Sequence, residues 1–388
     1  CNQHQYWQLK KQALPRLSRE QYYAEFRQYF NKAVSACLRN IGENCSHISG
    51  GMDSSSVTAQ AAIIMAQQNR QLYAFTALPN LLDGPSNRKN WYYHELPIVE
   101  SVLKMYPNII HHQHYANVKQ NIFEQLDILN YYTDQPLRNV ANIEWISQSY
   151  QFAGANNART ILTGASGNAT ISWAGVSLRN KLGKLRTYLK LKLKPDSALN
   201  NFFNSYVNPQ TLHSDIGRQL YPNRGFVFDG QWHMLTKSAT SLKSTAYLLQ
   251  LWYGTRSLDP TKDKELVEFC YSLPQWVFYK NNRTINRRLL VREGLRNILP
   301  EALTTSIYRG EQASDFYLSY NHHRQDWHER LLNLKPITKE IIWKYFDEEK
   351  LLAFFEMYQQ IPDRPNNIIT TQLMVLSRCL SFASYLNQ

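Results

Sequence analysis

Cys45-Ser46-His47-Ile48 runs into Ser49-Gly50-Gly51-Met52-Asp53-Ser54-Ser55, and from Ser54 to Gln68 the chain reads Ser-Ser-Ser-Val-Thr-Ala-Gln-Ala-Ala-Ile-Ile-Met-Ala-Gln-Gln. The first piece has the pattern of a short strand, weakened by the polar Ser46 and His47. The last, rich in Ala and ending in polar residues, has the pattern of a helix. Between them, glycines let the backbone approach a ligand closely. The free N–H groups opening the helix, reinforced by its macrodipole, point at an anion. Ser49, Ser54 and Ser55 add hydroxyl donors, and Asp53 is placed to hold a magnesium ion against pyrophosphate. Ser-Gly-Gly alone is better read as an ordinary helix cap; the acid at this offset, the Ala-rich helix behind it and the strand–helix context favour a phosphate site. The Gly-Lys-Ser or Gly-Lys-Thr of a Walker loop is missing, so the expected cleavage of ATP is between the α- and β-phosphates, with pyrophosphate retained by the turn.

Outward from this turn, strands and helices alternate. A helix is predicted from Glu20 to Leu38, where Tyr23, Phe26, Phe30, Val34 and Cys37 form one stripe. Strands are predicted at Leu72 to Ala77, Ile109 to Tyr115 and Arg159 to Thr163, and helices at His94 to Met105 and Asn142 to Asn156. This is the signature of βαβ units: an α/β fold with a parallel sheet flanked by helices. The glycine turns after Ile48 and Thr163 then fall at the carboxyl ends of strands, where such sheets bind ligands. Beyond about Val176 the strand signal fades. Helices are predicted at Leu242 to Trp252, Asp263 to Ser272, Arg287 to Asn297 and Asn367 to Leu386, giving a mainly helical C-terminal part. The expected division is residues 1–18 as a linker, 19–176 as the α/β domain, and 177–388 as the helical part that completes the site.

The 388 residues suffice for two or three domains. No apolar run reaches the roughly 18 residues of a membrane span, and the polar start Cys1-Asn2-Gln3-His4-Gln5 does not resemble a signal peptide. Five scattered cysteines without a C-x-x-C pair argue against disulfides and a structural zinc site. A cytoplasmic protein is expected. A net charge of +13 suits nucleic acid, anionic lipid or polyphosphate. Part of it lies in Arg179, Lys181, Lys184, Arg186, Lys190, Lys192 and Lys194, read as a solvated helical face because no nucleic-acid-binding signature accompanies it. His112 and His114 would share a strand face, either as a metal pair or as two partly exposed imidazoles.

The Ser49–Ser55 turn resembles the S-G-G-x-D-S-S loop of the asparagine synthetase family, within the ATP-pyrophosphatase group. Weaker likenesses follow in order: Gln135-Pro136 leading to Asn142-Ile143, Ile161-Leu162-Thr163-Gly164, Pro260-Thr261-Lys262-Asp263, and Leu299-Pro300-Glu301 followed by Arg309-Gly310. The resemblance implies an adenine nucleotide alpha hydrolase-like fold and an ATP- and Mg²⁺-dependent synthetase domain without its N-terminal glutaminase. Such a domain adenylates a carboxylate, which ammonia or another amine then attacks. By position, Ile48 and Thr76 would offer backbone contacts to adenine, and Gly164 would lie beside the nucleotide. Asp53 and Asn168 would face metal, and Arg309 would stand for the catalytic lysine.

The second motif departs from the family's L-S-G-E-G-A-D-E. Here it reads Leu162-Thr163-Gly164-Ala165-Ser166-Gly167-Asn168-Ala169. Ala165 replaces the glutamate and cannot accept a proton. Asn168 replaces an aspartate and offers magnesium an uncharged oxygen. Glu311 and Asp315 are candidate replacement acids, or ordinary loop carboxylates. Cys1 in place of Met suggests processing or a fragment, with a glutaminase separate or removed. The leading expectation is an AMP-forming amide ligase acting on aspartate or a larger small-molecule or peptide carboxylate. The alternatives are an RNA-modifying ATP pyrophosphatase, and a nucleotide-binding partner protein without catalysis.

Overall fold

The computed structural model describes residues 6–39, 42–80, 91–92, 94–175, 230–237, 243–281, 283–311 and 313–388. Cys1 and the basic segment from Arg179 to Lys194 lie outside them. In chain order the elements are α1 (Arg19–Cys37), β1 (Glu43–His47), α2 (Met52–Gln67), β2 (Leu72–Leu78), β3 (Trp91–Tyr92), α3 (Leu96–Leu103), β4 (Ile109–Tyr115), α4 (Ile122–Thr133), α5 (Ile143–Ala155) and β5 (Ala158–Leu162). They continue with α6 (Gly230–Lys237), α7 (Lys243–Tyr253), β6 (Arg256–Leu258), α8 (Lys264–Ser272), α9 (Leu289–Arg292), α10 (Glu301–Thr304), β7 (Arg309–Gly310), α11 (Phe316–Leu332), α12 (Pro336–Ile342), α13 (Glu348–Met357) and α14 (Asn367–Leu386).

Among the described residues the main sheet has five strands in the order β4-β2-β1-β5-β6. Every pairing in it is parallel. From β1 the chain builds outward through β2 to β4, then returns to add β5 and β6 on the other side. The reversal leaves a crevice at the carboxyl ends of β1 and β5, the usual ligand position in such sheets. Both glycine turns open into it.

Polar residues in the central strand are tolerated because each has a partner. Ser46 Oγ lies 2.7 Å from Thr58 Oγ1 on α2, and His47 Nε2 lies 2.9 Å from Ser149 Oγ on α5. Helix α1 starts at Ser18, whose hydroxyl accepts from the Gln21 N–H while the Gln21 side chain accepts from the Ser18 N–H. This reciprocal box satisfies donors that a helix start leaves open.

Helices cover both faces of the sheet. One core joins Tyr23, Phe26 and Phe30 of α1 to Val57 and Ala61 of α2, Phe269 of α8 and Leu290 of α9. The other joins Phe123 of α4 and Tyr150 of α5 to Trp327 of α11, Phe355 of α13 and Leu376 of α14.

Among the described residues the C-terminal part is mainly helical. Strand β6 completes the main sheet beside β5, and β7 pairs with β3, matching Trp91 to Arg309 and Tyr92 to Gly310. The helix expected over Arg287 to Asn297 is only the single turn α9, followed by hydrogen-bonded turns. Arg288 before it is left-handed, at φ 61° and ψ 34°, so the helix cannot begin there.

Candidate active site

The turn after β1 is tied down by its own hydroxyls. Ser49 Oγ accepts from the Gly51 N–H at 3.1 Å and lies 2.7 Å from Ser54 Oγ, while Ser55 Oγ donates to the Ser49 carbonyl at 2.6 Å. Gly51 is the N-cap of the 16-residue α2, and no side chain caps that end. The first N–H groups of α2 are therefore free for an anion at the positive end of the dipole.

The second glycine turn closes directly over this helix start. A Cβ on Gly164 would stand 2.6 Å from the Asp53 carbonyl carbon and 2.7 Å from the Ser54 nitrogen, and a Cβ on Gly167 would overlap the Asp53 carboxylate. Only glycine permits that approach. Asp259, after β6, accepts from the Ser166 N–H at 2.9 Å and from the Thr261 N–H at 3.0 Å, holding the turn to the strand edge.

Asp53 is thus enclosed, and burial lifts its carboxyl to about 6, against the pull of Ser172, Arg288 and Arg309. Its buried Oδ1 has no hydrogen-bond partner. An enclosed carboxylate oxygen with nothing to accept from is a fitting ligand for a hard cation, the remaining ligands coming from phosphate oxygens and water. The Asn168 Oδ1, by contrast, accepts from Arg288 Nη2 at 3.1 Å.

One cavity of about 1080 Å³ gathers most of the residues singled out from sequence: Ile48, Ser49, Gly50, Gly51, Asp53, Ser54, Gly164, Asn168 and Arg309 all line it, as does Ala165. Ser55 and Thr76 do not. The Thr76 hydroxyl, buried between strands, donates to the Ile48 carbonyl at 3.0 Å. Arg309 is exposed on β7. Of the candidate acids, Glu311 lines the cavity. Asp315 lines it too, but accepts from the backbone and side-chain N–H groups of Asn80 at 3.0 and 3.2 Å. Burial raises its carboxyl above the usual range.

Lining residues not anticipated from sequence include Arg288 and Glu95. Arg288 reaches the cavity from the C-terminal part on a left-handed backbone, a geometry that no sequence pattern signals. Glu95, just before α3, accepts from the backbone N–H groups of Gly50 and Gly310, while burial raises its pKa. A Cβ on Gly310 would overlap that carboxylate, so the one acid joins the Ser49–Ser55 turn to β7.

The two histidines do share a face of β4. His112 stacks on Phe152 with ring centroids 4.4 Å apart, while His114 Nε2 lies 2.9 Å from Glu144. Among the described residues no group of three or more His, Cys, Asp or Glu is arranged to hold a metal. Cys37, Cys45, Cys270 and Cys379 are free thiols. No described helix is long and apolar enough to cross a membrane.

Residues 25–253 and 259–383 match the asparagine synthase family model. The chain belongs to the asparagine synthase family. Both stretches of the match enter the site, the first carrying the two glycine turns and the second Arg288 and Arg309. No curated protein matches the chain. Membership supports an ATP-dependent ligase of the asparagine synthase type.

Proposed function

We propose that the chain binds ATP with its pyrophosphate on the Ser49–Ser55 turn and joins a carboxylate to an amine with release of AMP and pyrophosphate. The observation that carries this reading is the uncapped start of α2, facing the crevice between β1 and β5 beneath Gly164. A carboxylate oxygen attacks the α-phosphorus, the bond to the bridging oxygen breaks, and pyrophosphate leaves towards the free N–H groups opening α2. The amine then attacks the acyl carbon, AMP departs, and the nitrogen gives up a proton.

Arg309 and Arg288 bring positive charge to the side of the cavity where the leaving group gains negative charge, the placement that lowers such a barrier. Asp53 would hold Mg²⁺, which neutralises charge on the polyphosphate when bound. Ala165 supplies no proton acceptor. The site therefore differs from one built for ordinary asparagine synthesis, and the acceptor is aspartate or a larger carboxylate, small molecule or peptide. Ammonia or another amine is the donor.

The test is product analysis with ATP, Mg²⁺ and a panel of carboxylates and amines. AMP and pyrophosphate in equal amounts are expected, dependent on the carboxylate. ADP and orthophosphate would overturn the reading. ATP protection without turnover across the full panel would favour a non-catalytic nucleotide-binding protein.

A further inference from the structure

We propose that Arg288, held by the Asn168 amide, supplies to the pyrophosphate the positive charge that a second acid-bound cation would otherwise bring, leaving Asp53 as the side chain that holds metal. The inference rests on the reading that pyrophosphate occupies the Ser49–Ser55 turn.

Three observations carry it. First, the oxygen that Asn168 could offer a cation is engaged. Its Oδ1 accepts from Arg288 Nη2 at 3.1 Å, the one hydrogen bond of that guanidinium among the described residues. A cation on the same oxygen, at about 2.1 Å, would be repelled by the adjacent guanidinium. An aspartate at this position would pair with the arginine and cancel its charge; the neutral amide orients it and leaves the charge free for a ligand.

Second, the arginine is aimed at a conformational cost. At φ 61° and ψ 34° its backbone is left-handed, a region costly for a residue with a Cβ unless its surroundings enforce it. Its neighbours do so. Arg287 donates to the carbonyls of Ala174 and Gly175 at 3.0 and 2.8 Å, and Arg292 to those of Arg287 and Ser306 at 3.1 and 2.7 Å. With Arg287 tied to Ala174 and Gly175, and its carbonyl held by Arg292, the left-handed Arg288 between them lines the cavity.

Third, no carboxylate salt-bridges Arg288 among the described residues. The charges that act on it are those of Arg309, Asp53 and Arg287. The remaining N–H groups of its planar fork suit a bidentate contact with phosphate oxygens.

The experiment is calorimetric binding of inorganic pyrophosphate, with EDTA and separately with Mg²⁺, to the wild-type chain and to R288Q, R288K, N168A and D53N, each checked for folding by circular dichroism. Wild type should bind in EDTA and more tightly with Mg²⁺. R288Q should lose roughly tenfold to a hundredfold in EDTA, the worth of a charge-assisted contact. R288K, keeping the charge but losing the fork, should fall between. D53N should keep binding in EDTA and lose the gain from Mg²⁺.

If R288Q fails to fold, N168A decides: the guanidinium remains but its holder is gone, and affinity in EDTA should drop roughly threefold or more. Undiminished binding by R288Q, or by N168A where R288Q does not fold, overturns the assignment while the pyrophosphate turn stands. A Mg²⁺ gain that survives D53N and vanishes in N168A overturns it in favour of an Asn168-bound metal. A wild-type chain that binds pyrophosphate in neither buffer removes the turn reading, and this inference with it.

Discussion

At the scale of single residues, the site depends on missing atoms as much as on present ones. Gly164 lies against the backbone of Asp53 and Ser54, which cannot swing aside as a side chain could. Gly164→Ala should cost about 1–3 kcal/mol of stability and reduce pyrophosphate release at least tenfold, because relief requires moving the start of α2. Gly51→Ala is the control: its Cβ would meet two side-chain hydroxyls, of Ser49 at 3.1 Å and of Ser54 at 3.9 Å, and should cost less than about 1 kcal/mol. Urea unfolding of the two variants checks this, and equal costs would refute the close-approach argument.

His47 is a pH test at the same scale. Burial lowers its pKa to about 4, while in an unfolded chain it returns to about 6.5. Between those values the unfolded state binds more protons, so stability is lost as pH falls from about 6.5 towards 4. The full gap is worth about 3 kcal/mol. His47→Gln should flatten the dependence of unfolding free energy on pH across that window, and an unaltered slope would refute the assignment. Asp53 and the serines were legible in sequence because their roles depend on residues a few positions away. Arg288 was not, because its role depends on one dihedral angle and on partners over a hundred residues distant.

At the scale of elements, Glu95 couples the phosphate turn to β7. Replacing it with Ala removes an acceptor shared by the N–H groups of Gly50 and Gly310, and a lost hydrogen bond to a charged acceptor is worth about 1.5–3 kcal/mol. In E95A the amides of Gly50 and Gly310 should exchange with solvent at least tenfold faster, with Arg309 loosened alongside. Mass-spectrometric or NMR hydrogen exchange reads this, and unchanged protection at both glycines would show that the acid does not join them. Such a connection leaves no mark in local sequence, since the three partners come from separate elements. Helices α1, α2, α5, α8 and α14 were legible from their composition and periodicity, and β1, β2, β4 and β5 from the alternation around them, while the 17-residue α11 was not. Strand β6 was not: three residues, Arg256-Ser257-Leu258, carry too little pattern and are strands only because β5 offers an edge.

At the scale of the whole molecule, the sheet separates two cores, and the nucleotide turn belongs to one of them. Helix α2 packs with α1, α8 and α9, whereas α14 packs with α4, α5 and α11 on the opposite face while lending Thr370, Met374 and Arg378 to the cavity. Stability and nucleotide binding should therefore separate by face. Leu376 is fully buried in the second core, and truncating it to Ala should lower the unfolding free energy by about 2–5 kcal/mol. The free N–H groups opening α2 are held by the other core, so the added thermal stability that saturating ATP confers should match the wild-type increment. Leu290→Ala, in the α2 core, should cost a similar amount of stability but also shrink that increment, because α9 carries Arg288 at its start. Melting curves of both variants with and without ATP distinguish the outcomes. If L376A loses ATP protection as fully as L290A, the sheet does not insulate the two faces, and the cavity behaves as part of a single cooperative core.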